Sequence, residues 1–244
     1  MKISKILYAS VALLAMASCT KSGNAGEGLV KFAVSNNETV TDVTRSHVSD
    51  YTTLPAAGDF SISVKDESQQ VMFDGKITDW DPASGLLKEG SYSVTASCGD
   101  IESEGFDKPY FAGSVPFTIK GGETTTVTIP VSLNNTVVKI NCTQNFRNYY
   151  KNYSFKLTRN GADIVAFAKD ETRAAFVDGY KFTLEGVLES ETKTYNFSKE
   201  YTSLEVATAY TFVFDVNNIG SSSITISFND NVETVDLGDY ELND

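Results

Sequence analysis

Histidine and cysteine are scarce in this sequence. Its 244 residues include one histidine, His47, and three cysteines. A hydrolytic triad needs a nucleophile, a base and an orienting group. His47 lies in a polar segment without a nucleophile motif, and no G-x-S-x-G sequence occurs. One histidine without paired cysteines also disfavours a metal site. We therefore predict a protein that is not an enzyme and has no catalytic residue, metal or cofactor.

Basic residues are also few compared with acidic ones. Twenty Lys and Arg face 32 Asp and Glu, which gives a net charge of −12. An acidic protein repels nucleic-acid phosphates, so we exclude DNA and RNA as partners. Chance carboxylate pairs are expected, and none has a distinctive glycosidase setting. Residues 79–85 faintly resemble a calcium loop, but Ala83 and Gly90 stand where oxygen ligands are needed. We interpret this segment as an acidic turn.

No apolar run is long enough to cross a bilayer as a helix, which needs about 20 residues. The uncharged stretch at residues 6–16 follows two lysines and has the length of a signal-peptide core. The sequence Met-Ala-Ser-Cys at residues 16–19 then resembles the bacterial lipobox. This resemblance implies cleavage before Cys19, lipidation of its thiol and contact with a membrane through the lipid anchor. An ordinary secretory signal with a chance cysteine is the alternative.

The two remaining cysteines are predicted to stay reduced, although an exported protein can form disulfides. Cys98 shares the apolar face of an alternating segment with Tyr92 and Val94, and Cys142 shares one with Val138 and Ile140. Both thiols should therefore point into separate cores, where free cysteine is a common small residue. A Cys98–Cys142 bond is the alternative.

Short segments with a period of two recur along the chain and predict β-strands. Residues 153–157 resemble residues 60–64, and residues 179–184 resemble residues 91–96. Residues 210–216 match residues 127–133 in the same order. We therefore predict an all-β protein with two tandem Ig-like or transthyretin-like β-sandwich domains. One large sandwich is the alternative.

The predicted organisation has four parts. They are a signal peptide at residues 1–18, a lipid-anchored flexible tether at 19–28, an N-terminal β-sandwich at 29–134 and a C-terminal β-sandwich at 135–244 with added C-terminal strands. The tether is small, polar and rich in glycine, which favours flexibility.

Aromatic residues in predicted loops are the candidates for ligand binding. They are Trp80, Tyr110, Phe111, Tyr149 and Tyr150. Exposed rings would suit a glycan, because sugar-binding proteins stack aromatic rings on sugar faces. The alternative is that these rings fill the ends of the sandwich cores, since aromatic side chains bury a large apolar area.

Several segments resemble a Bacteroidetes lipoprotein family of unknown function. They are residues 90–100, residues 106–113, the threonine-rich segment that ends at Leu133, and residues 169–174. The layout of a lipobox followed by two β domains is similar to that of fimbrillins, the pilins of the same phylum. The resemblance implies a lipid-anchored protein of the cell envelope, in the outer membrane, on either its periplasmic or its surface face.

The similarity to fimbrillins also implies a processing site. In those pilins a protease cuts after an arginine that follows the first strand, and a strand from a neighbour fills the groove. The matching residue is Arg45, and a solvated arginine is the alternative. We predict a structural or adhesive protein, fimbrillin-like or a fimbrial accessory subunit. The alternative is a surface lipoprotein that binds glycans or proteins through aromatic loops.

Overall fold

The computed structural model describes residues 26–40, 47–216, 223–228 and 231–237. Cys19 and Arg45 lie outside these residues, so their predicted lipidation and cleavage stay predictions. Strands make up most of the described chain, and the predicted all-β fold class is confirmed.

Eight strands form the described part of the first half, residues 26–40 and 47–134. They are β1 (Glu27–Asn36), β2 (Ser61–Asp66), β3 (Val71–Lys76), β4 (Leu86–Lys88), β5 (Gly90–Cys98), β6 (Gly105–Phe106), β7 (Phe111–Ile119) and β8 (Thr124–Leu133). One layer has the antiparallel order β3-β2-β5-β7. The other has the order β8-β1-β4, in which β1 runs parallel to β8 and antiparallel to β4.

The two layers of the first half meet where β7 crosses β8. Phe111 and Ala112 pair with Leu133 and Ser132. A Cβ atom at Gly113 would lie 1.8 Å from the carbonyl oxygen of Pro130, so only glycine permits this close crossing. The apolar faces of both layers enclose one core, which includes Val30, Ile62, Val64, Val94, Val127 and Ile129.

The residues of the second half that the structure describes form nine strands and one short helix. They are β9 (Thr136–Cys142), α1 (Gln144–Tyr149), β10 (Asn152–Arg159), β11 (Ala162–Phe167), β12 (Ala175–Val177), β13 (Phe182–Glu189), β14 (Thr194–Tyr201), β15 (Ala209–Asp215), β16 (Ser223–Phe228) and β17 (Asn231–Asp236). One layer has the order β11-β10-β13-β14, and the other has the order β17-β16-β15-β9-β12-β6. A second core lies between them, rich in aromatic residues such as Phe146, Phe155, Phe182, Phe212 and Phe214.

The same pairing scheme occurs in both halves. The first strand of each half runs parallel to a late strand, β1 to β8 and β9 to β15. Its other edge pairs with a three-residue strand, β4 or β12. The segments that match in sequence fall on equivalent strands, because residues 60–64 and 153–157 open the hairpins β2–β3 and β10–β11.

The two halves are joined by more than the two residues between β8 and β9. Strand β6 of the first half pairs with β12 and so extends a sheet of the second half. Phe176 and Ala209, from the second half, pack in the first core. Asn135 is fully buried at the junction. The division at residues 134 and 135 stays a prediction.

Both described cysteines are free, as the alternating pattern predicts. Cys142 is buried in the second core, and Cys98 is half-buried beside the first. Burial raises the pKa of the Cys142 thiol to about 12. A thiol that keeps its proton at neutral pH is a poor nucleophile, so Cys142 is a core residue rather than a reactive one.

Candidate functional site

Strand β1 is held unevenly on its two edges. Residues 29–36 pair in parallel with residues 124–131 of β8. On the other edge, residues 27–29 pair with β4, and the Val30 amide donates to the Gly85 carbonyl at 3.0 Å. Within the described residues, the ladder from β4 thus reaches only the beginning of β1.

Trp80 covers the edge of β1 just beyond β4. Its indole Nε1–H donates to the Val30 carbonyl at 3.0 Å. The ring lies edge-on to Phe32 at 5.1 Å and to Phe73 at 5.2 Å between centroids. A Cβ atom at Gly85 would lie 2.5 Å from the indole, so glycine is needed for this packing. The indole thus holds the segment at residues 80–85 against β1, and the ligand-binding role of Trp80 stays a prediction.

Burial distinguishes β1 from its equivalent in the second half. Two of the ten β1 residues are buried, Gly28 and Val30. Five of the seven β9 residues are buried. Strand β9 also lies between β15 and β12, deep in a six-stranded sheet. Two strands with the same topological role are therefore anchored very differently, and β1 is the weakly anchored one.

The segment that contains Arg45 is bounded by fixed ends. Val40 is fully buried, and Thr39 forms an isolated β-bridge with His47. The Val48 amide donates to the Glu38 carbonyl at 3.0 Å. These contacts place both ends of the segment next to each other, directly after β1. His47 serves the same turn, since its backbone N–H donates to Asp50 Oδ2 at 2.7 Å.

The aromatic pair Tyr110–Phe111 lies at the junction of the two halves. Phe111 is 2% exposed and lies in the first core, which favours the alternative that its ring fills the core, and its ligand-binding role stays a prediction. Tyr110 is half-buried, and its backbone N–H donates to Asn135 Oδ1 at 2.5 Å. The Tyr110 carbonyl accepts from the Asn134 amide at 2.8 Å. These backbone contacts fix the position of Tyr110 at the junction, and the ligand-binding role of its ring stays a prediction.

The second aromatic pair divides into a core residue and a surface residue. Tyr150 is fully buried in the second core, which favours the alternative that its ring fills the core, and its ligand-binding role stays a prediction. Tyr149 is half-buried at the end of α1, with its ring edge-on to Tyr150 at 4.8 Å. Burial and the neighbouring Tyr195 raise the pKa of the Tyr149 hydroxyl. Tyr149 lines a cleft on the surface of the second half.

That cleft has a volume of about 350 Å³ and lies between α1 and the turn from β13 to β14. Its lining consists of Asn145, Asn148, Tyr149, Lys151, Ser190, Glu191 and Thr192. Sequence reasoning missed the two asparagines and the turn residues. They are distant along the chain, and no local pattern signals that they meet.

A polar cluster borders the second core near Cys142. The Tyr153 hydroxyl donates to Asp170 Oδ1 at 2.7 Å, and Arg147 Nε lies 3.5 Å from the same oxygen. Burial is the main cause that raises the pKa of Tyr153, followed by the hydrogen bond to Asp170. This cluster keeps the tyrosine neutral and fixes α1 to the loop after β11.

The acidic segment at residues 79–85 folds as a turn, as expected. Asp81 accepts from the Ala83 amide at 2.9 Å and from the Ser84 hydroxyl. The Ser84 contact is the main cause that lowers the pKa of Asp81. Within the described residues, no group of three or more metal-binding side chains comes together. The same residues include no helix that is long and apolar enough to span a membrane.

Two packed sheets in each half define this molecule as an all-β protein of tandem sandwiches. The chain belongs to the family described as a domain of unknown function (DUF4493), whose model matches residues 26–238. The resemblance to a family of unknown function is thereby confirmed, and its lipoprotein character stays a prediction. No curated protein matches the chain.

Three solved structures of similar architecture come from Bacteroides and Parabacteroides species. One from Bacteroides thetaiotaomicron, provisionally described as polysaccharide-binding, is 12% identical over 86% of this chain and 98% of that one, with a TM-score of 0.48. One from Parabacteroides distasonis, described as a fimbrial assembly protein, is 9% identical over 86% and 98%, with a TM-score of 0.48. A provisional adhesin from Bacteroides thetaiotaomicron is 12% identical over 88% and 99%, with a TM-score of 0.46. Structures that resemble this chain so distantly do not indicate its function.

Proposed function

We propose that this protein is a non-enzymatic, lipid-anchored subunit of the cell envelope with a structural or adhesive role, in which β1 can be exchanged for a strand of another subunit. The observation that carries this proposal is the unequal burial of two equivalent strands. Two of ten residues are buried in β1, against five of seven in β9. Removal of β1 therefore costs less apolar burial than removal of β9 would.

Loss of β1 would open a groove beside β8. The backbone groups of residues 124–131 would lose their partners, and unpaired buried groups are costly. An edge of this kind is a template for an added strand. Val127, Ile129 and Val131 line it with buried apolar side chains that select an alternating partner. A donor strand would restore the ladder by β-augmentation.

The proposed donor is β16, whose sequence alternates as the groove requires. Ile224 and Ile226 are fully buried in the second core, and residues 225–227 pair with residues 213–215 of β15. Release of the two isoleucines costs about 1.5–3 kcal/mol each. Insertion into the groove of a neighbour would bury them again and so offset this cost.

Cleavage after Arg45 is the proposed trigger. Before cleavage, β1 is covalently linked to the rest of the protein, called the body below, and contacts at Asn36 and the buried Val40 hold the end of this link. A donor strand from another subunit therefore competes with a strand of the same chain. Cleavage removes this advantage, because the linked strand no longer has a high effective concentration. The released fragment would also carry the lipid on Cys19, and the exchange would free the body from its anchor.

The proposal is tested by treating purified, delipidated protein with an arginine-specific protease. Wild-type protein should form multimers after cleavage, as measured by size-exclusion chromatography with light scattering. Arg45→Ala should remain monomeric, because the trigger is absent. In membrane vesicles, the cleaved body should leave the membrane only as multimers form. Cys19→Ala should be soluble from the start, which tests the anchor separately.

A locked variant provides the matched control. Ala33 and Thr128 are exposed register partners on β1 and β8, so cysteines at both positions can form a bond across the two strands. The oxidised A33C/T128C protein should be cut at Arg45 and stay monomeric, and reduction should restore assembly. If wild-type protein is cut at Arg45 and remains monomeric, the exchange of β1 is refuted.

A further inference from the structure

We infer that the cleft between α1 and the β13–β14 turn binds a neutral glycan. The cleft has a volume of about 350 Å³, which lies within the range of small-molecule sites, about 300–1,000 Å³. It lies in the second half of the chain, away from β1 and β8. This binding role therefore goes beyond the proposed exchange of strands and does not depend on it.

The wall formed by α1 is held rigidly, which a binding site requires. Thr143 caps the helix by accepting from the Phe146 amide at 3.2 Å. Phe146 is fully buried, and its ring lies 4.8 Å from that of Tyr150. Because this six-residue helix is fixed at both ends, the ring of Tyr149, its last residue, is held in place. A ligand that binds against this ring therefore loses little free energy in ordering the protein.

The chemistry of the lining suits a polyhydroxylated ligand. Tyr149 offers an aromatic surface for the C–H face of a sugar ring. Asn148 accepts from Gln144 Nε2 at 2.8 Å through its Oδ1, which leaves its amide N–H groups to donate. Among the described residues, the Asn145 side chain has no hydrogen-bond partner, so it can both donate and accept. Amides of this kind match the paired hydroxyls of a sugar.

The charges in the cleft favour a neutral ligand over an acidic one. Lys151 Nζ lies 3.6 Å from Glu191 Oε1 and donates to the Asn148 carbonyl at 3.1 Å. The ammonium group is therefore partly compensated before any ligand arrives, and the cleft has one charge of each sign. The net charge of −12 for the whole chain adds repulsion against anions.

Binding is tested by NMR with the isotope-labelled full-length protein and neutral trisaccharides of glucose, mannose and galactose at millimolar concentration. At least one probe should shift the side-chain amide signals of Asn145 and Asn148. Tyr149→Ala should weaken binding about tenfold or more, whereas Tyr149→Phe, which keeps the ring, should stay within about threefold. Tyr180→Ala is the matched control, because Tyr180 is 66% exposed and outside the cleft. It should bind like wild type.

The specificity is tested with an acidic probe, a trimer of galacturonic acid. Glu191→Gln leaves Lys151 without its counter-charge and should strengthen binding of this probe by roughly fivefold. Three results would each overturn the inference. They are no shift at Asn145 and Asn148 with any neutral probe, unchanged affinity in Tyr149→Ala, and stronger binding of the acidic trimer than of every neutral probe by wild type. None of these readouts involves Arg45 or β1.

Discussion

At the scale of single residues, a partly buried ion pair joins the two halves of the molecule. Arg159 donates to both carboxylate oxygens of Glu104 at 3.0 Å, with the two side chains 25% and 17% exposed. The Asp178 amide also donates to Glu104 at 2.6 Å. Arg159 in turn donates to the Asp178 carbonyl. Glu104, which belongs to the first half, therefore accepts hydrogen bonds from two residues of the second half.

Glu104→Gln should lower the free energy of unfolding by about 2 kcal/mol. The substitution leaves the Arg159 charge partly buried without a counter-charge, and one fork of the pair is lost. Urea denaturation followed by circular dichroism measures the effect. Lys156→Ala breaks exposed pairs with Asp163 and Glu185 and is the control, expected to cost about 1 kcal/mol or less. Equal effects of the two substitutions would show that Glu104 has no special role at the junction.

At the scale of elements, the position of a strand in the topology does not determine how firmly it is held. Strands β1 and β9 have equivalent parallel partners, yet β9 lies inside a six-stranded sheet in which β12 and β6 follow on its other edge. On its outer edge, strand β1 borders the three-residue β4 and the segment at residues 80–85, which contains Trp80.

Hydrogen exchange should therefore separate the two strands. Backbone amides that are bonded in residues 31–35 should exchange at least about tenfold faster than those in residues 137–141, because local opening of β1 exposes less apolar surface. Mass spectrometry or NMR under native conditions measures the rates. The oxidised A33C/T128C lock should slow exchange in β1 and leave β9 unchanged. Equal protection of both strands in wild-type protein would contradict weak anchoring of β1.

At the scale of the whole molecule, separate cores make each half a candidate folding unit, while the junction makes them interdependent. The first core is largely formed by its own two layers, with Val137, Phe176 and Ala209 added from the second half. The loop that contains β6 also exchanges backbone hydrogen bonds with β12. The halves therefore stabilise each other without sharing one core.

A protein truncated after Asn135 should still unfold cooperatively with a β-type circular dichroism spectrum. Its midpoint in urea should be lower than that of the full chain, because three core side chains and the partners of β6 and Glu104 are missing. Glu104→Gln should destabilise the full chain and have little effect on the truncated protein. A truncated protein without a transition would mean that the halves fold as one unit.

The sequence by itself determined the all-β class and the order of equivalent strands, because alternation and turn residues act over a few positions. It also indicated that Cys98 and Cys142 face inward, since side chains alternate strictly along a strand. It could not decide which aromatic rings are exposed. Phe111 and Tyr150 are as aromatic as their neighbours Tyr110 and Tyr149, and only the packing of the layers buried them. The cleft beside Tyr149 and the pair Glu104–Arg159 join residues that are far apart along the chain, so their existence depends on how the sheets pack, which no local pattern encodes.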